Sequence, residues 1–382
     1  MATRPFRIIL VAGAAGALLA SGVVTALTAS AAPTCGSGSF NAEASLSGST
    51  WTSRNGSRTV YTGSDMRAAM QSALDSLTAN RTSQQRVVVR GSGNISANDR
   101  VQLSSYTTLD VCGTINVTGT GTGDKSPIMA RNATNIEVTH LRMTGRPIYG
   151  IFMRSVTNLT LREIDLRLSA GLGIRIDNFH NRAVKTRNTV IENVYVSGTS
   201  DNGVETAGLD GIRIGTVVAR NTGHAGLLLN DTINATVGTV DGSGAGTGTG
   251  YAAFRMANRN GRVGNSYPTN IRVGTVKARG GGRGIFCVSE SGGAVIDNVD
   301  ILSTGGHAIL LENCHNVTVA AKSGTVGNGE EIRIASRPEF AASSGNVIQN
   351  LTVRNTPIRL SPCGTGNVIR NVTRVNSTLT WC

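Results

Sequence analysis

From about residue 130 onward the chain is written in short runs of alternating apolar and polar residues, each closed by a small or polar corner. Ser200 to Asp231 carries two successive copies of one unit: a polar turn (Asp201-Asn202, then Gly223-His224), a short run (Val204-Glu205-Thr206, then Leu227-Leu228-Leu229), a corner and a second alternating run. The step from Val204 to Leu227 is 23 residues, too long for a hairpin and too regular for loops, and it suits one turn of a stacked β-solenoid. Anchoring on the residue that begins each second run gives Asn135, Asn158, Thr189, Gly211, Asn234, Asn270, Ala294, Asn316, Asn346 and Asn367, a base length near 22 residues with three longer steps. Alternation places Ile, Val and Leu inside each coil and turns the intervening residues outward.

The region before the coils reads differently. Met66, Met70, Ala73, Leu74 and Leu77 fall on one helical face with Ser64 as the expected N-cap, and this helix is expected to cap the exposed interior of the first coil, within a capping region of about 60–90. Arg86–Arg90, Val101–Leu103 and Thr108–Val111 read as strands, and regular coils are expected over about 130–375. Residues 1–31 read as an export signal: Arg4 and Arg7 precede an apolar run to Leu27, and Ala29-Ser30-Ala31 offers small residues for cleavage. The domain reading is thus a signal peptide at 1–31 and one solenoid domain at 32–382, secreted, extracellular and monomeric, without a membrane anchor.

Charge and cysteine content narrow the partners. The formal charge of +13 falls to +11 without the signal, so the surface favours acidic partners. Nucleic acid, anionic polysaccharide and anionic cell-wall polymer are all such partners. Aromatic residues are only 4%, which leaves few rings for stacking bases or sugars and argues against a general single-strand nucleic-acid binder, so the expected partner is an acidic polysaccharide and not nucleic acid. All six cysteines follow the signal, as in an oxidising compartment. Among the fifteen possible pairings, spacing suggests Cys35–Cys112, Cys287–Cys314 and Cys363–Cys382. The Asn-x-Thr/Ser triplets mostly coincide with an Asn that starts a strand, so they read first as structural.

The signal, the helix, the strand-length runs and the 22-residue period from about Val60 onward resemble the right-handed parallel β-helix proteins of the pectate lyase-like superfamily. The resemblance implies an all-β, single-stranded right-handed parallel β-helix with an N-terminal capping helix, acting on polysaccharide along the outer face of one sheet. It carries over no catalytic residue by itself.

Stacking the first runs in register gives one outward column of Phe152, Arg175, Glu205, Leu228, Arg255, Phe286, Leu310, Arg333 and Arg359, and a second of Arg154, Asp177, Ala207, Asn230, Ala257, Val288, Glu312, Ala335 and Ser361. The turns before these runs add Asp201, Asn202, His224, Tyr251, Arg283, His307 and Glu330. Insertions at 178–188, 258–269 and 337–345 follow first-sheet strands, that at 241–250 precedes one, and all four are expected to wall a groove. With coils about 4.8 Å apart, the polar cluster spans roughly 25 Å.

Two chemistries fit this groove. A lyase on a uronic-acid polymer must neutralise the C5 carboxylate, remove the C5 proton and release the 4-oxygen. His224, Arg255, Glu205, Asp201 and Tyr251 are the catalytic candidates: Arg255 for the carboxylate, His224 or an arginine held against low-dielectric walls as base, Tyr251 for the leaving oxygen. Arg175, Asp177, Asn230, Arg283, His307 and Glu312 are the substrate-binding candidates, with Arg283 able to share the carboxylate. Asp177, Asp201 and Glu205 offer the oxygen ligands a Ca²⁺ would need if a metal did the neutralising. Inverting hydrolysis is the alternative, with Asp177 and Glu205 roughly 8 Å apart as acid and base. Asp201-Asn202, Gly223-His224-Ala225-Gly226 and Phe254-Arg255-Met256-Ala257 follow an order similar to the polygalacturonase family, but Asn202, Leu172 and Ala257 replace the Asp, Asp and Lys of that pattern. A non-catalytic wall- or polymer-binding solenoid is the remaining reading.

Overall fold

The computed structural model describes residues 34–246 and 250–382, so the export signal expected at 1–31 lies outside the described residues. First-sheet strands pair in parallel from coil to coil, and one line of partners runs Ile128, Ile151, Ile174, Val204, Leu227, Phe254, Ile285, Ile309, Ile332, Ile358 and Leu379. Every one of these side chains except Leu379 is buried, and together with the inward residues of the second runs they fill a continuous apolar interior. The register is the one expected from the alternation, because slipping by one residue would turn the whole apolar set outward.

The corners explain the anchor residues. Asn135, Asn158, Asn188, Asn234 and Asn316 sit at φ of 50–60°, a left-handed conformation that Asn adopts more readily than most residues. Three of them also form a ladder: Asn158 Nδ2 donates to Asn135 Oδ1 at 3.0 Å, and Asn188 Nδ2 donates to Asn158 Oδ1 at 2.9 Å. In four coils the expected anchor is one residue late. Asn188, Gly293, Gly345 and Gly366 hold the left-handed corner, not Thr189, Ala294, Asn346 and Asn367. Side-chain patterning alone does not separate the corner from the residue after it; the backbone conformation does.

The N-terminal region departs further from expectation. Ala42–Ser47 pairs antiparallel with Thr50–Asn55, which pairs antiparallel with Arg58–Gly63, and Ala42–Ser47 also joins Gln85–Arg90 in parallel. The helix is Met66–Asp75 and buries Met66, Ala69, Met70, Ala73 and Leu74 against these strands. Its N-cap is Asp65, not Ser64: the Asp65 carboxylate accepts the Ala68 N–H at 3.0 Å, a charged acceptor at the positive end of the helix.

Three disulfides form, joining Cys35 to Cys112, Cys287 to Cys314 and Cys363 to Cys382. Among the described residues no helix is long and apolar enough to cross a membrane. Outside the first sheet lies a second, smaller apolar cluster of Ala225, Leu228, Ala252, Ala257, Phe286, Val288, Leu310 and Ala335. The outward face of the central coils is therefore an apolar floor, overlaid by long polar side chains.

Candidate functional site

Asp201, His224 and Tyr251 each stand three residues before a first-sheet strand, and those strands begin at the paired residues Val204, Leu227 and Phe254. The three side chains are thus equivalent positions on three successive coils and form one ladder along one edge of the floor. Asp201 Oδ1 accepts from its neighbour's backbone, Asn202 N–H, at 2.7 Å and meets His224 Nδ1 at 2.7 Å. The His224 ring stacks on Tyr251 with centroids 3.9 Å apart and planes 13° from parallel. One ring nitrogen of His224, Nδ1, is committed to Asp201, which leaves Nε2 for a reacting group. Both members remain partly open to solvent, His224 at 35% and Asp201 at 43%.

Beside this ladder lie two arginines with little to hold them. The Arg255 guanidinium covers the rings of Tyr251 and Phe286, 5.4 and 5.3 Å from their centroids, and Arg283 covers Phe286 at 4.9 Å. Among the described residues the Nε of each is buried without a hydrogen-bond partner. Burial lowers both pKa values, with Arg283 adding like-charge repulsion to Arg255. Planar guanidinium groups left short of acceptors on an apolar floor have the geometry that a planar anion such as a carboxylate can match.

On the other side of Glu205 the charges are satisfied internally. Asp177 is fully buried; it takes Arg154 Nε at 2.7 Å and Nη2 at 3.0 Å, Arg175 Nε at 2.9 Å and the Phe179 backbone N–H at 3.1 Å. Burial alone would raise its pKa, but these arginine contacts outweigh it and hold the carboxyl below its ordinary value. Arg175 also reaches Glu205 at 3.4 Å. Glu205 accepts Asn202 Nδ2 at 3.0 Å and Asn230 Nδ2 at 3.2 Å. Burial nevertheless raises its pKa, aided by the charge of Asp201, against the pull of Arg175 and the two amides.

Asp177 is accordingly a support for Arg154 and Arg175, and the acid–base pair expected from Asp177 and Glu205 loses one member because no water reaches it. The same saturation bears on Ca²⁺: Asp177 is held by two guanidiniums, Glu205 by two amides and an arginine, and Asp201 by His224, so these residues do not fit a Ca²⁺ site. Among the described residues the one group of three potential ligands within 4.8 Å is Cys35, Asp110 and His140, where Cys35 is consumed by its disulfide.

One coil beyond Arg283, His307 Nε2 lies 3.4 Å from Glu331, and burial, reinforced by Arg283, lowers the His307 pKa. Glu312 pairs with Arg337 at 2.8 Å. The structure brings His224, Asp201, Tyr251, Arg255 and Arg283 together, with Glu205, Asn230 and Arg175 alongside; Asp177 lies underneath, and His307 and Glu312 are in later coils. Glu331, which also approaches Arg359 at 3.8 Å and follows the noted Glu330 by one residue, was missed by sequence reasoning; Asn202 was placed in the turn before the strand but given no role, and its side chain holds Glu205.

No family model matches the chain, and no curated protein is similar to it in sequence. Among solved structures it is similar to the A-module of an Azotobacter vinelandii mannuronan C-5 epimerase, at 12% identity over 83% of this chain and 93% of that one, with a TM-score of 0.58. It is also similar to an exopolygalacturonase from Thermotoga maritima, at 10% identity over 81% of this chain and 87% of that one, with a TM-score of 0.39. At such identities the likeness is one of fold: the chain is a right-handed parallel β-helix.

Proposed function

We propose that this chain is an exported, monomeric polysaccharide lyase that cleaves a uronic-acid polymer by β-elimination over the central coils of the first sheet. The observation that carries the reading is the Asp201–His224–Tyr251 ladder beside the unpartnered Arg255 and Arg283. Arg255 and Arg283 receive the C5 carboxylate and stabilise the negative charge that grows on it. His224 takes the C5 proton on Nε2 while Asp201 orients the ring, and Tyr251 gives its hydroxyl proton to the departing 4-oxygen. Neutralisation by arginine fits a site whose carboxylates are already committed.

A fold relative that acts at C-5 of mannuronan supports a polysaccharide substrate and raises a second reading, epimerisation, which begins with the same proton. Epimerisation must return a proton to the opposite ring face, and stacked rings 3.9 Å apart leave no space for a sugar between them, which favours elimination. Hydrolysis is the weaker alternative: Glu205, with its raised pKa, suits a general acid, but its expected partner Asp177 is buried and saturated. The disulfides support an extracellular setting, and we read the helix Met66–Asp75 as the cover of the first coil.

The test is incubation of the purified chain with a panel of polyuronates and neutral glycans, following ultraviolet absorbance of the unsaturated uronate together with new reducing ends. Both signals on a polyuronate are expected. New reducing ends without the chromophore would replace elimination by hydrolysis, and neither signal anywhere on the panel would leave a binding solenoid.

A further inference from the structure

The geometry points to a substrate stereochemistry, an inference that rests on the elimination reading: we propose that the polymer is a 1,4-linked uronate of D-gluco or D-manno configuration. His224 and Tyr251 occupy the same position on neighbouring coils, in register through the Leu227–Phe254 pair. Their rings stack face to face at 3.9 Å, and His224 Nδ1 is tied to Asp201. Base and acid therefore approach a sugar from one side. They serve a substrate whose C5–H and C4–O bonds lie on one face of the ring.

Pyranose stereochemistry then divides the uronates. In D-glucuronate and D-mannuronate, H5 and O4 share a face. In D-galacturonate O4 is inverted, and in L-guluronate and L-iduronate H5 is inverted, so the two lie on opposite faces. With the H5/O4 face turned to the His224–Tyr251 edge, the equatorial carboxylate of a D-gluco or D-manno ring lies in the ring plane, within the reach of the arginines on the floor. The C5–H bond breaks and its proton passes to His224 Nε2; the electron pair enters the carboxylate-stabilised carbanion and then the C4=C5 bond. As C4–O4 breaks, O4 takes the Tyr251 proton and leaves as the anomeric hydroxyl of the preceding sugar. The proton gained by His224 returns to Tyr251 through solvent, so the cycle balances without an added reactant.

The experiment compares polymannuronate, 1,4-linked polyglucuronate, polyguluronate and polygalacturonate at equal concentration, reading unsaturated product. At least one of the first two is expected to be cleaved about 100-fold faster than either of the last two, the scale a misplaced acid or base forfeits. Faster cleavage of polygalacturonate or polyguluronate would overturn the stereochemical inference and leave the lyase reading standing. No unsaturated product from any of the four would overturn both. Tyr251→Phe in heavy water separates the roles: chain cleavage on the preferred polymer is expected to fall about 100-fold while H5 still exchanges for deuterium. Equal loss of exchange would refute the assignment of Tyr251 to the leaving oxygen.

Discussion

His224 owes its proposed role to Asp201, which fixes the ring through Nδ1 at 2.7 Å. Asp201→Asn keeps a side chain of the same shape but can present an N–H to the nitrogen that the carboxylate holds, favouring the wrong tautomer. Turnover on the cleaved polymer is expected to drop by about 10²- to 10⁴-fold with little change in KM, measured by initial rates. Asp177 poses the opposite case, a charge that holds the site up without facing substrate. Asp177→Asn leaves Arg154 and Arg175 short of their partner and is expected to cost about 3–5 kcal/mol in denaturant unfolding. Because the folded-state pKa of Asp177 is lowered, its stabilisation is present above the ordinary carboxylate value of about 3.9 and is lost as pH falls through the lowered value. The native protein should lose stability across that acid range, and the variant should lack this part of the loss. The residue types of both groups were legible in the sequence. Their division into a solvent-facing dyad and a buried ion cluster was not, because Arg154 reaches Asp177 from the preceding coil and Arg175 from two residues back on the same strand, by side-chain conformations that alternation does not specify.

At the scale of one coil, the strand and the corner were legible to different degrees. The first-sheet register follows from Ile, Val and Leu at every second position, since burying them admits one alignment. The corner did not follow as closely: Thr189 and Ala294 stand where the pattern begins, while Asn188 and Gly293 hold the left-handed backbone. The N-terminal antiparallel strands escaped notice because Leu46 and Trp51 give too short an alternation to separate from loop. A corner Asn is a backbone requirement, and Asn158→Ala tests it. Placing Ala at a φ of 55° should cost about 1–2 kcal/mol in the unfolding midpoint, whereas Asn158→Gly should lose less, because glycine accepts the conformation and gives up only the ladder bonds.

Across the whole molecule the solenoid converts a repeat in sequence into a line in space. Coils about 4.8 Å apart carry Arg255 and Arg283 beside the proposed chemistry and Arg333 and Arg359 further along, where Glu331 approaches them at 4.0 and 3.8 Å, a row of cations for an extended polyanion. Attraction of this kind is screened within about 8 Å at physiological salt. KM for a polyuronate is therefore expected to rise steeply as sodium chloride is added, with a smaller effect on kcat. Excess EDTA should leave the rate unchanged, because arginine, in this account, neutralises the carboxylate; a rate lost to EDTA and restored by Ca²⁺ would return the metal to the mechanism.

The central claim is that the polymer carboxylate binds at Arg255 beside the His224–Tyr251 pair, and kcat/KM of Arg255→Ala on the cleaved polyuronate tests it most directly. A fall of about 10²- to 10³-fold is expected, with the circular dichroism spectrum unchanged. Full turnover in a folded Arg255→Ala protein would contradict it and place the chemistry elsewhere on the solenoid.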